Sequence, residues 1–349
     1  MLSRMILRPK SPAALRMTPA LTSSTSPVVD VPTWLRRAVP DTQGLAGKGV
    51  GLNALEDVAL TAGAALGALD AVVRREEKWA GAWRQRLALV AAAVTAKQVG
   101  RVEDETALRD AVLLTRPGDF LSVGPAGLLL LAWRRLATRP SEDLLTRKNL
   151  GAVLEEFSYA PDDEALDDLA GDLRRLAAGG MVDMVVGAFT AADRYGFGRA
   201  VGAWFADALL AQRLGWLRAV PLLGAEVNAA GQGRARRSGT AIVASVEDGR
   251  SQAKSLLAAQ ARAALRAVDL SAELGRRAER MLAVAPKLRA KAADTVVERL
   301  LNEDALAASR GDKKAGMSDR GLRRLFDRLV EFGAVRELSG RPTFRIYGL

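Results

Sequence analysis

The amino-acid sequence predicts a mainly α protein: a multi-helix body carrying a C-terminal winged-helix module, that is, a helix-turn-helix followed by a β-hairpin. Three observations predict it. Hydrophobic residues make up 49% of the 349-residue chain but aromatics only 5%, so the apolar share is mostly Ala, Leu and Val, the residues of packed helices. Apolar positions recur at three- and four-residue steps in the body. The C-terminal stretch then changes character and ends in β-branched and aromatic runs separated by a turn signal. The length exceeds what one hydrophobic core usually serves. The expected division is a disordered Pro/Ser/Thr-rich leader over 1–44, an all-helical domain over 45–285 and a winged-helix-like domain over 286–349.

The leader carries Pro9, Pro12, Pro19, Pro27, Pro32 and Pro40, with the polar tract LTSSTS between Pro19 and Pro27. Prolines that close together interrupt any helix or apolar targeting core, so a leader without regular structure is expected. No uninterrupted apolar run approaches the eighteen or so residues a membrane span needs, and a cytoplasmic protein without membrane contact follows as the expectation. Gly44, Gly47, Gly49 and Gly51 form a loop up to Asn53, an N-cap residue. From there to Arg75, the residues Leu55, Val58, Ala59, Ala62, Leu66, Leu69 and Val73 line one helical face. Trp79 to Val99 repeats the pattern, with Arg84, Arg86 and Lys97 among its polar positions. A shorter helix runs from Glu103 to Leu114 and ends at the PGDF turn; Leu128 to Leu136 makes a compact apolar helix stopped before Pro140.

Eight acids between Glu155 and Asp172 form an acidic patch inside a basic protein, a pattern that usually marks a solvated helix face. Met181 to Gly215 reads as two helices with Trp204, Phe205 and Leu209 supplying bulk. Next comes a basic loop, GQGRARRSG, and then a long helical region from Ala241 to Ala283, with breaks expected near Gly249 and Gly275. Ala292 to Leu301 is helical, a short helical piece is expected around Asp304 to Ala308, and the basic loop RGDKKAG follows. Ser318 caps a strong helix, SDRGLRRLFDRLVEF, closed by Gly333. The strands AVREL and TFRIYGL, joined by SGRP, complete the order of a winged helix.

Composition excludes several chemistries. With no Cys there is no disulfide, thiolate nucleophile or zinc finger; with no His there is no imidazole base, no Ser-His-Asp triad and no histidine metal ligand. Asp57, Asp70, Glu103, Asp104 and Glu105 are the acids a carboxylate site would need, but pairing of Asp70 and Glu103 with Arg84, Arg86 or Arg101 is the plainer reading. A non-enzymatic protein without cofactor or metal is therefore expected. Trp79, Trp83 and Trp133 read as core anchors. The glycine loop before the first body helix lacks P-loop spacing and a leading strand, so it is no nucleotide fingerprint.

The charge points elsewhere. Lys and Arg number 51 against 40 Asp and Glu, a net +11 with a pI near 10.4. On a wheel of 318–332, Leu322, Leu325, Phe326, Leu329 and Phe332 share the packing face, while Arg320, Arg323, Arg324 and Arg328 spread over the other. Arg suits DNA contact because its planar fork meets guanine O6 and N7, or a phosphate, with two hydrogen bonds. The hairpin adds Arg336, Arg341 and Arg345, and the loop before the helix adds Lys313 and Lys314; from 310 to 345 ten basic residues face five acids. The expected DNA-binding residues are Lys313, Lys314, Arg320, Arg323, Arg324, Arg328, Arg341 and Arg345, and the expected partner is double-stranded DNA. The helical body would supply a protein partner or a homodimer contact. Two alternatives remain: the module docks a protein, or its arginines are a solvated face stabilised by i,i+3 and i,i+4 pairs such as Arg323 with Asp327.

The stretches GAALGALD, WRQRLALVAAAV, GRVEDETALRDAVLL, GPAGLLLLAWRRLA, VAPKLRAKAA and MSDRGLRRLFDRLVEFGAVRELSGRPTFRIYGL resemble the bacterial domain of unknown function 1403 family over roughly 45–349. The last of them is also similar to winged-helix tails on Fic-type proteins, whose catalytic motif, with its His, is absent. The resemblance implies no transferable activity. It implies a setting on plasmids or other mobile elements and a regulatory or maintenance role.

Overall fold

A computed structural model describes residues 29–39, 55–115, 119–229, 246–288, 293–308, 317–339 and 344–349. The chain is mainly helical, with twelve α-helices and one small sheet among these residues. Within the stretch expected to be a disordered leader, α1 (Thr33–Ala38) forms a single docked turn and a half. Val31 and Leu35 are buried, and Arg36 reaches Asp269 at 2.6 Å. Six residues are too few to show a period, so tertiary burial makes this helix where sequence pattern does not.

The body begins with α2 (Leu55–Val73), which buries Val58, Ala62, Leu66, Leu69 and Val73 as its periodicity predicts. It packs along α10 (Val246–Val284). That helix is 39 residues long, about 58 Å at 1.5 Å per residue, and runs without the breaks expected at its glycines. Gly275 serves packing instead: a Cβ there would lie 2.8 Å from the ring of Trp79. α3 (Ala80–Gln98) is covered on nearly every side, by α5 (Phe120–Thr138), α10 and the 3-10 turn Leu223–Ala229. Arg84 and Arg86, expected at polar positions, are consequently buried. Burial and the charge of Arg218 push the Arg84 guanidinium down to about 10.

Asp104 caps α4 (Glu105–Leu113) by accepting from Ala107 N at 2.8 Å, and Asp119 caps α5. α5 starts earlier than the apolar run suggests and bends at Gly124 (φ 71°), where glycine's freedom lets the chain turn ahead of Pro125. α6 (Arg147–Glu156), α7 (Asp163–Ala178), α8 (Met181–Arg194) and α9 (Arg199–Leu214) complete the body. Four indoles tie it together. Trp83 donates to Ala267 O at 2.8 Å, Trp133 to Thr95 Oγ1 at 3.1 Å, Trp204 to Ala132 O at 3.0 Å and Trp216 to Asp70 Oδ1 at 2.8 Å. Each buries a large ring and satisfies its one polar atom at the same time.

The C-terminal part consists of α11 (Ala293–Asn302), β1 (Leu306–Ala307), α12 (Asp319–Glu331), β2 (Arg336–Glu337) and β3 (Ile346–Gly348). The segment expected as a short helix at 304–308 holds β1, because its backbone pairs with β3 rather than with itself. The sheet is antiparallel with order β1-β3-β2, Leu306 facing Tyr347 on one side and Glu337 facing Tyr347 on the other. This part shares the body's core. Asp304 sits between Arg86 of α3 and Arg109 of α4, and Gln85 donates to Asn302 O at 3.1 Å.

Candidate nucleic-acid interface

Ser318 Oγ accepts from Gly321 N at 3.3 Å and Asp319 stands in the first turn, so α12 starts where a cap and a favourable charge coincide. It ends at Gly333 (φ 61°), a left-handed position that turns the chain into β2. Leu322, Leu325, Phe326 and Leu329 are buried, and the Phe326 ring stacks on Tyr347 of β3 at 4.5 Å between centroids. Helix and sheet are thereby one packed unit. Phe332, expected on the packing face, is 39% exposed at the C-cap of the helix, one residue before the turn at Gly333. Val330 is similarly exposed.

The opposite face carries Arg320, Arg323, Arg324 and Arg328, all exposed. Among the described residues no carboxylate lies within ion-pair distance of these four, so the pairing of Arg323 with Asp327, and of Arg328 with Glu331, does not form. Arg328 lies over the Phe332 ring at 5.5 Å. Arg345, just before β3, is drawn to Glu337 at 3.8 Å, and Ser339 Oγ links Glu337 to Ile346 N. The structure thus gathers four predicted residues on one helix face and places Arg345 in the adjoining hairpin, engaged within it. Lys313, Lys314 and Arg341 lie outside the described residues, as do the glycine loop before Asn53 and the GQGRARRSG loop.

The carboxylates considered from sequence do not converge. Asp104 is a cap, Asp70 binds Arg74 at 2.7 Å and the Trp216 indole, and Glu103 faces Arg101 at 3.5 Å. Hydrogen bonds from Arg74 and Trp216 hold the Asp70 carboxyl below its ordinary value despite partial burial. No group of three or more acids able to hold a metal occurs among the described residues. The acidic patch is mostly solvated, with Asp162 capping α7. Its exceptions are Glu156, buried and paired with Arg135, and Asp172, which accepts from Arg194 at 2.8 Å and from Tyr195 and lines a groove of about 430 Å³ with Arg175, Leu176, Asp183 and Val186.

Sequence reasoning did not mark the buried carboxylates, of which Asp207 and Asp304 are the most enclosed. Asp207 of α9 accepts from Leu222 N at 2.7 Å and Leu223 N at 3.1 Å; burial pushes its carboxyl up to about 8 against those hydrogen bonds. One acid inside AWFADALLA was the available signal. Asp304 has no comparable signature.

A family model described as protein of unknown function (DUF1403) matches residues 20–349. The chain belongs to that family. The DUF1403 match begins upstream of α1 and covers every described residue. No curated protein and no solved structure matches this DUF1403 chain. No described helix is long and apolar enough to cross a membrane.

Proposed function

We propose that this protein is a non-enzymatic cytoplasmic DNA-binding regulator whose C-terminal module is a winged helix, with α12 as the recognition helix. The arginine face of α12 carries the reading: four guanidinium groups exposed on one side of a helix whose other side is fully packed. The element order α11, β1, α12, β2, β3 and the strand order β1-β3-β2 support the winged-helix assignment. In this arrangement Arg320, Arg323 and Arg324 reach into the major groove from the helix N-terminal half. Arg328, Arg345, Lys313, Lys314 and Arg341 meet phosphates. The helical body serves as the dimerisation or partner platform, and no cofactor takes part.

The test is duplex binding across a salt series. Four to six phosphate contacts give a log–log slope of about −4 to −5. The Arg320/Arg323/Arg324 triple Ala variant loses affinity and discrimination between sites; each of Lys313→Ala and Arg341→Ala shrinks the slope by about one. Equal binding by wild type and triple variant overturns the reading. In that case a second reading takes its place: exposed Val330, Phe332 and Phe344 beside the arginines fit a module that docks a protein.

A further inference from the structure

Where α3, α4 and α5 meet the turn after α11, the charges of three arginines, Arg86, Arg109 and Arg134, bear on the one carboxylate of Asp304. Asp304 is fully enclosed and receives Arg86 Nε on one oxygen and Arg109 Nε, at 2.6 Å, on the other. The two arginine side chains are only 8% and 6% exposed. Arg86 also donates through Nη2 to Asp304 O at 3.3 Å and Leu349 O at 3.5 Å. Glu303, the residue just before it, is held by Arg299 at 2.7 Å.

Those two acids are the ones whose charge acts on Arg134 of α5, and both are already bound. Arg134 is partly exposed while its Nε is enclosed, and among the described residues nothing accepts a hydrogen bond from its guanidinium. Arg109, whose charge acts on Arg134, has one fork nitrogen on Asp304 and no acceptor among the described residues for the others. Beyond Asp304, Arg336 of β2 experiences the charges of Arg277, Arg86 and Arg109. Its nearby acid, Glu273, is held by Arg277 at 2.8 Å, and Arg277 Nη1 is enclosed without an acceptor. Enclosed guanidinium N–H groups without acceptors are costly, and like charges at close range add to that cost. Burial holds Arg134 below the ordinary arginine value and the Arg109 charge lowers it further.

We propose that this junction is a binding site for a small, multiply charged oxyanion, a phosphate or phosphomonoester, with Arg134 as its principal donor and Arg109 beside it. The planar forks match a phosphate's oxygens bidentately, and a dianion removes the charge excess that Asp304 leaves. The site lies between the body and the C-terminal module and does not depend on α12 touching DNA.

Thermal unfolding of the full chain tests it, in inorganic phosphate, in glycerol 3-phosphate and in sodium chloride of equal ionic strength. The expected result is a midpoint rise over chloride that grows with the logarithm of anion concentration, about 4 °C at one hundred times Kd. The larger response of the two phosphate arms identifies the source. In Arg134→Met the increment disappears while the chloride midpoint is no lower than wild type, since an unneutralised cation has been removed. No rise above chloride, or an equal rise in Arg134→Met, overturns the proposal. If Arg134→Met does not fold, Arg134→Lys keeps the charge without the fork: at least a tenfold loss of phosphate affinity supports the site, and unchanged affinity overturns it.

Discussion

α9 and α12 are helices of 16 and 13 residues built to opposite rules. In α9 the buried set Ala200–Ala211 is continuous, so every face meets protein, and even its acid, Asp207, is enclosed. In α12 the buried positions are likewise apolar but confined to Leu322, Leu325, Phe326 and Leu329, and everything between them is charged and exposed. A helix wrapped on all sides has its side chains committed to packing. A helix packed on one side has a second face that folding does not require, and on α12 that face is arginine. Packing leaves that face of α12 unused, and for that reason the proposed function is placed there.

The joint between the two regions gives the largest expected effect. Asp304→Ala removes the carboxylate shared by Arg86 and Arg109 and leaves two guanidinium groups enclosed and unpaired. Loss of one partner of a buried ion pair costs about 3–5 kcal/mol. Chemical denaturation should show that loss. A change below about 1 kcal/mol, the range of exposed pairs, would mean that the body and the C-terminal part are not held together there.

The body supplies the next effect. The Asp207 carboxyl titrates near 8 in the fold and, as a free Asp, near 4 when unfolded. Its folded value is raised, so the stability it contributes is fully present below pH of about 4 and is lost as pH climbs to about 8. The slope for one proton is at most about 1.4 kcal/mol per pH unit. Asp207→Asn keeps an acceptor for Leu222 N and Leu223 N without a titrating proton. Its denaturation midpoint should therefore lose that slope between pH 4 and 8 (about the window set by the two values). An identical pH profile in wild type and Asn variant would show that Asp207 does not control it.

How far sequence reaches follows the same contrast. The two-faced helices α2 and α12 are legible because one face is apolar and the other is not; Ser318, Gly333 and, of the α12 stripe, Leu322, Leu325, Phe326 and Leu329 stand where the pattern puts them, Phe332 alone being exposed. The four arginines of its free face were legible for that reason. α3 is misread because it has no outer face: Arg84 and Arg86 look polar in one dimension and are buried in three. β1 is two residues long and exists only through pairing with β3, some forty residues on, so no local pattern marks it. The Asp304 clamp joins residues 195 and 218 positions apart, a relation that periodicity does not carry. A break of α10 is expected near Gly275 because glycine usually interrupts a helix, whereas here it admits the Trp79 ring.

The smallest expected effect is the one that separates the two faces of α12. Arg320, Arg323 and Arg324 are exposed, and no described carboxylate pairs with them, so their replacement removes neither packing nor an ion pair. Surface substitutions of this kind change stability by about ±0.5 kcal/mol or less. Arg328 differs, because its guanidinium covers the exposed Phe332 ring at 5.5 Å, a contact that contributes about 0.5–1 kcal/mol at such sites. Denaturation of Arg320→Ala, Arg323→Ala and Arg324→Ala should superimpose on wild type, while Arg328→Ala shifts slightly toward lower denaturant. If instead one of the first three destabilises by more than 1 kcal/mol, that arginine is part of the fold. Its effect on duplex binding would then report damage to α12 rather than a lost contact. If all three are silent in stability and loud in binding, the face that packing leaves free is the face that works.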